Sequence, residues 1–247
     1  MKRILCLFLS LLLLLGAAAP VLAEKSLRGV PAERGVALPL KNGASRTVYF
    51  FPVPGGYYDA KQGPVDALEV PSVAGLRAKS SKSWLQVAQA ELGFRWGVTQ
   101  VNATQKTRTA TLTLTGSGYK STLKVKQLGA DRITAMKRKK NQVTVTVKRS
   151  NSPAHAYTVL RMKLKGGKPN EATTKVVAEG LLTGSKLTYT VKKGYAYAVY
   201  VGPALNPLAD GTVYSCDTAM ATISVKKVTG SQKADLIQQL GSDGKLR

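Results

Sequence analysis

The chain has 247 residues, room for one large or two ordinary domains. Lys and Arg number 37 against 13 for Asp and Glu, giving a formal net charge of +24. One His and two Cys leave too few ligands for a His/Cys zinc site, and a His-based nucleophilic enzyme would have to use His155.

Residues 1–23 read as a secretory signal peptide. Lys2 and Arg3 open it, an apolar stretch runs from Ile4 to Leu15, and Val21-Leu22-Ala23 supplies small residues before Glu24. The apolar stretch is too short to span a bilayer, so no membrane span is expected after cleavage. Cleavage also removes Cys6 and leaves Cys216 alone, so stability must come from packing. Cys216 itself reads as a small half-buried hydrophobe. The remaining charge of +22 is spread along the chain, with +9 over 24–130 and +12 over 131–230. Spread positive charge favours salt-sensitive attraction to polyanions, which outside a cell are acidic glycans or anionic cell-surface polymers. Nucleic acid is not an expected partner of an exported chain.

After a lead-in over 24–39, short alternating runs begin. Arg46 to Val53 is aromatic and β-branched, and Phe94, Trp96 and Val98 share one face of the next run. Thr109 to Thr115 alternates, with Ala110, Leu112 and Leu114 on one side and four Thr on the other. Gly116-Ser117-Gly118 follows, and Thr122 to Gln127 runs back, a hairpin signal because glycine accepts the backbone of tight turns. The rhythm restarts at Gln142 to Lys148. It continues at Ala156 to Leu164, Lys186 to Lys192, Tyr195 to Val201 and Ala219 to Lys226. Gly166 to Asn170 and Gly184-Ser185 read as turns between these runs. The basic run Lys137 to Lys140 reads as a solvated turn at a module junction, Ala130 to Asn141. One helical pattern occurs, Gln232 to Leu240, with Leu236, Ile237 and Leu240 on one face. The expected fold is therefore all-β: two consecutive immunoglobulin-like β-sandwich domains over 40–130 and 131–230, then a 231–247 tail holding a short helix.

A set of spaced residues has a familiar order: Trp84-Leu85-x-Val87, then Asn102 and Arg108, then Thr111 to Leu114, then Val125-x-Gln127-x-Gly129. Over about residues 40–130 this resembles the BACON domain, a small exported bacterial β-sandwich. The resemblance implies a carbohydrate-binding or spacer role without catalysis. Residues 131–230 resemble a fibronectin type III or other immunoglobulin-like module more loosely, on strand rhythm and the Tyr195 to Val201 run.

Sugar binding needs an aromatic face beside polar groups, and Tyr57, Tyr58, Trp96 and Tyr119 are the candidates. Tyr57 and Tyr58 follow Gly55-Gly56 as if in a loop, and Tyr119 follows the hairpin turn. Trp96 shares a face with Phe94 and Val98 and suits the core better than a sugar site, as does Trp84. Arg108 suits either pairing with a carboxylate or a structural hydrogen bond to the Asn102 turn, and Gln127 reads as structural. Asn102-Ala103-Thr104 fits a glycosylation sequon, but the export signal looks bacterial. His155 lies in an apparent turn with no acidic neighbour in sequence, so it is expected at the surface. No paired carboxylates and no phosphate loop stand out, and neither catalysis, a metal nor a cofactor is expected. The leading expectation is a secreted adhesion or carbohydrate-binding protein, the alternative a spacer or protein-interaction scaffold.

Overall fold

A computed structural model describes residues 45–53, 57–59, 63–65, 70–71, 77–90, 93–116, 119–205, 214–237, 240–241, 244 and 246. The expected signal peptide and lead-in lie outside these residues. The chain divides into two compact units, both all-β and both immunoglobulin-like sandwiches. Residues 103–106 interrupt the first unit in sequence but belong to the second.

The N-terminal module contains β1 (Ser45–Phe50), β2 (Tyr57–Asp59), β3 (Gly63–Val65), β4 (Val70–Pro71) and β5 (Arg77–Ser80). It continues with β6 (Leu85–Ala90), β7 (Gly93–Val98), β8 (Arg108–Gly116) and β9 (Tyr119–Gln127). One sheet has the order β3-β2-β1-β9-β8-β5, the other β4-β7-β6. The alternation of β8 is why it lies against the core: Ala110, Leu112 and Leu114 are buried, and the intervening threonines look outward. β9 supplies Leu123 and Val125, β1 supplies Val48 and Phe50, and Trp84, Leu85 and Val98 close the opposite side. β1 runs parallel to β9, pairing Val48 with Val125.

The C-terminal module contains β10 (Arg132–Lys139), β11 (Gln142–Lys148), β12 (Ala154–Lys165), β13 (Lys168–Leu181) and β14 (Lys186–Thr190). It continues with β15 (Tyr195–Leu205), β16 (Tyr214–Ser215), β17 (Ala219–Val225), β18 (Ser231–Lys233) and β19 (Asp235–Ile237). Its sheets are β14-β11-β10-β18 and β13-β12-β15-β17-β19, with β16 also on β15. Val143, Val145 and Val147 of β11 meet Val199, Val201 and Tyr197 of β15 and Ala221, Ile223 and Val225 of β17 in one core.

Three expectations are corrected here. The segment expected as a C-terminal helix forms β18 and β19, which pair with β10 and β17. Two sheet edges offer it unpaired N–H and C=O groups, and satisfying those outweighs a weak local helical preference. Its supposed apolar face is also split: Leu236 is 42% exposed while Leu240 is buried. Second, the supposed junction 130–141 is mostly β10, a strand of the C-terminal sandwich. Third, the turn expected over 166–170 is shorter, with Gly166 and Gly167 at φ 59 and 78 making the bend. The longest strand, β13, follows it at once. β13 was not legible because it is an edge strand with little burial on either face and hence no alternation.

Candidate functional site

In the N-terminal module an open cleft of about 720 Å³ lies beside the β5–β6 turn and the end of β7. Lys82, Ser83, Gln86, Trp96, Gly97 and Thr99 are among the residues that line it. The serine-rich turn is built by its own hydroxyls. Ser80 Oγ donates to the Lys82 carbonyl at 2.8 Å, and Ser81 Oγ accepts from the Thr111 N–H at 2.8 Å. Thr99 N–H donates to the Trp84 carbonyl at 2.9 Å, which ties the end of β7 to the start of β6. Lys82, Ser83, Gln86 and Thr99 remain exposed at the rim. Gly97 stands opposite Gln86 in the β6–β7 register, and a Cβ there would meet no heavy atom within 4 Å. The wall at Gly97 is thus open space rather than packed interior.

Trp96 joins this cleft to the core. It is half-buried, packs against the core and meets Phe50 edge to face at 5.4 Å between ring centroids and 72°. The other aromatic candidates stand on strands of the other sheet. Tyr57 and Tyr58 lie on strand β2, paired with Phe50 and Tyr49, rather than in the expected loop. The register against β1 provides their backbone partners. Tyr119 is the first residue of β9, opposite Gly116 at the hairpin end.

The spaced residues of the sequence motif meet in one buried lock. Gln127 Nε2 donates to the carbonyls of Pro52 at 2.8 Å and Gln100 at 2.9 Å, and its Oε1 accepts from Arg108 Nε at 2.7 Å. Arg108 Nη2 donates to the same Gln100 carbonyl at 2.7 Å, and its guanidinium stacks 4.5 Å above the Trp84 ring. Burial lowers the Arg108 pKa, and the group stays charged at neutral pH. Asn102 Nδ2 donates to the carbonyls of Gln127 and Leu128. Asn102 is 2% exposed, so the sequon amide is committed to the fold. These residues hold loop ends together. Gly129 closes the motif because a Cβ there would lie 2.5 Å from the Gln105 backbone.

His155 departs from expectation. It is buried, and its Nδ1 lies 2.8 Å from Asp131 Oδ2. Asp131 Oδ1 also accepts the Ser150 N–H at 2.6 Å, and the Asp131 carbonyl accepts from Thr218 Oγ1. Asp131 is 24 positions away, so only the tertiary fold supplies the acidic partner that the local sequence lacked. The two nearby hydroxyls, Ser150 Oγ and Ser152 Oγ, bond one another at 2.8 Å, and Ser152 Oγ also donates to the Gly129 carbonyl. Carboxylate and imidazole are therefore aligned, but both serine hydroxyls are engaged elsewhere and the cluster is buried. It fastens β12 to the start of β10. Cys216 is buried in the same module, as a small hydrophobe would be. Among the described residues no group of three or more His, Cys, Asp or Glu could hold a metal ion.

No family model matches the chain, and no curated protein matches it. Solved structures resemble it at low identity. The 3Ig fragment of titin, in an E-to-A mutated variant, is 11% identical with a TM-score of 0.36, covering 73% of this chain. The chain spans 64% of that fragment's length. Domains 3 and 4 of rat CD4 are 11% identical with a TM-score of 0.29, covering 74% of this chain and 100% of theirs. The fold assignment rests on the strand order and the two cores described above.

Proposed function

We propose that this chain is an exported, non-enzymatic binding protein whose BACON-like N-terminal module takes a carbohydrate in the Trp96 cleft. One observation carries this reading: Trp96 shares the lining of the cleft with the exposed Gln86, Ser83, Thr99 and Lys82, on the β6–β7 strand pair and its adjoining turn. Sugars present apolar C–H faces and a fringe of hydroxyls, and an aromatic edge with short polar side chains complements both. Fixing Trp96 against Phe50 removes the ordering cost that a loop aromatic would bear.

The test is binding of the chain to neutral and acidic glycans at about 50 and about 300 mM salt, since screening weakens exposed charge contacts far more than stacking. Gly97→Leu is the informative variant. It fills the cleft wall where space is open and leaves the core untouched. Salt-resistant binding to particular sugars that Gly97→Leu weakens by about tenfold or more, about 1.4 kcal/mol, supports the site. No glycan bound at either salt sinks it.

A second reading, protein interaction or a spacer, draws on the edge strand β13, where Val176, Val177 and Leu181 are 53%, 41% and 42% exposed. An edge of this kind can accept a partner strand, although the register shifts of β13 against β12 make it irregular.

A further inference from the structure

The second module carries a charge pattern that the sequence scatters and the topology collects. The β10–β11, β12–β13, β14–β15 and β17–β18 turns all lie at one pole of the C-terminal sandwich. Register shows this: Gln142 pairs with Thr190, Lys163 with Tyr195, Tyr195 with Val225, and Lys139 with Ser231. Backbone bonds stitch the turns together. Val191 N–H donates to the Asn141 carbonyl at 2.7 Å, and Lys140 N–H to Gly230 at 3.0 Å. Leu164 N–H donates to Gly194, and Gly194 N–H to Val225, both at 2.9 Å.

Each of the four turns contributes two lysines: Lys139 and Lys140, Lys165 and Lys168, Lys192 and Lys193, Lys226 and Lys227. All eight are exposed, and none forms an ion pair with a described carboxylate. No acidic residue lies in any of the four turns, and Glu171 in β13 is the nearest along the sequence. The Lys226 ammonium comes within 3.7 Å of where a Gly167 Cβ would stand, so two of the turns share one patch. At the backbone the pole measures about 15 Å by 10 Å, from strand and sheet spacings. That is comparable to the Debye length of about 8 Å at physiological salt, so the eight fields overlap.

A local cost accompanies this arrangement. Among the described residues Lys140 is the one non-glycine residue at positive φ, 55°. Glycine or asparagine is the ordinary occupant of that conformation, and the other turns use Gly166, Gly167, Gly194 and Gly230 there. Arg138 Nη1 donates to the Lys140 carbonyl at 2.6 Å and holds the turn. A lysine kept in a glycine conformation inside a lysine cluster points to use of its charge.

We propose that this pole binds an anionic polysaccharide through its repeating phosphate, sulfate or carboxylate groups. It is separate from the Trp96 cleft and on the other module, so the two proposals stand or fall independently. The chemistry of the patch selects the occupant. Lysine is a compact point charge on a flexible stem, suited to diffuse anions rather than planar bidentate recognition. Beside the lysines, Arg138 is buried and Tyr195 is half-buried with Arg161 stacked on its ring, so no fully exposed aromatic or arginine joins the eight lysines, which disfavours single-stranded nucleic acid, whose bases stack on such groups. Val228 is the sole exposed large apolar residue of the four turns beyond the strand ends, Val191 being buried, too little to anchor in a bilayer. One exposed lysine contact changes affinity a few-fold at most, but contacts repeated along one polymer multiply.

The test measures binding of the full chain to dextran sulfate and to polygalacturonate, with uncharged dextran as control, across a salt series. The pole variant replaces Lys165, Lys168, Lys192 and Lys193 by Gln. An equal-charge control replaces Arg77, Lys79, Lys124 and Lys126, exposed or half-exposed on the N-terminal module, by Gln. The expected result is binding to the two polyanions and not to dextran, weakened about tenfold or more by the pole variant and a few-fold by the control. Equal losses in the two variants would reduce the effect to net charge and overturn the site. Tighter pole-dependent binding to anionic phospholipid vesicles or to DNA would overturn the choice of occupant. Circular dichroism of both variants establishes that they are folded.

Discussion

Replacing Tyr189 by Phe should stabilise the C-terminal module. Tyr189 lies on β14 opposite Val143, with its ring 6.0 Å from that of Tyr197. Its hydroxyl is buried and has no hydrogen-bond partner among the described residues. A buried hydroxyl left unsatisfied costs about 1–3 kcal/mol, while the ring itself still contributes its apolar burial. Tyr189→Phe keeps the ring and removes the cost, so a gain of about 1 kcal/mol is expected at neutral pH. A second consequence appears in alkali. Burial first, and then the neighbouring Tyr197, push the Tyr189 phenol far above its ordinary value of 10. In the unfolded chain it ionises near pH 10, while in the folded chain it keeps its proton. Its contribution is therefore intact below about pH 10 and declines above it by up to about 1.4 kcal/mol per pH unit. At pH 11 the native chain loses about 1.4 kcal/mol that the Phe variant keeps, so the difference between them widens from about 1 to about 2.4 kcal/mol. Urea unfolding at pH 8 and pH 11, followed by far-ultraviolet circular dichroism, reads both values. Tryptophan emission provides an internal reference, because both tryptophans, Trp84 and Trp96, belong to the N-terminal module. A variant less stable than the native chain at pH 8, or a difference that stays constant up to pH 11, would refute the reasoning.

Other perturbations test the rest of the framework. Gln127→Leu matches shape but takes one of two donors from each of the Pro52 and Gln100 carbonyls, which keep Asn102 N–H and Arg108 Nη2, and strands Arg108 Nε, so it should cost the N-terminal module about 1–3 kcal/mol. Urea unfolding read by tryptophan emission measures this, and a loss under about 1 kcal/mol would mean the lock is dispensable. Gly202→Ala drives a methyl into the Cys216 carbonyl, and because the obstacle is backbone, a loss of about 3 kcal/mol or more should lower the melting temperature of the C-terminal module. An unchanged melting temperature would contradict that close approach. Lys140→Gly relieves the positive φ and should raise stability by about 0.5–1 kcal/mol while weakening polyanion binding a few-fold. A gain in stability with undiminished binding would separate the strained lysine from the proposed role.

Much of the fold is legible in the residues because a half-buried strand must alternate. β8, β11 and β17 follow their apolar periodicity and bury Leu112, Val145 and Ile223, whereas β15, central in its sheet, buries residues on both faces. Where burial is absent, so is the signal. β13 is largely exposed and carries no strand pattern, its first three residues reading as part of a turn, and the β18–β19 segment looks helical until two sheet edges claim its backbone. Of the aromatic candidates, Trp96 reaches the cleft, and its partners Ser83, Gln86 and Thr99 carried no signal because exposed polar residues near strand ends are commonplace.

The sequence by itself determined the all-β class, the strand faces and the excess of positive charge, since these depend on composition and on neighbours one or two residues apart. Only the tertiary structure decided what meets what. It brings Asp131 to His155 across 24 positions and gathers eight lysines from four separate turns onto one pole. Antiparallel strands return alternate turns to the same end, so charges spread evenly along the chain become dense in space, a consequence of pairing order that no local pattern encodes.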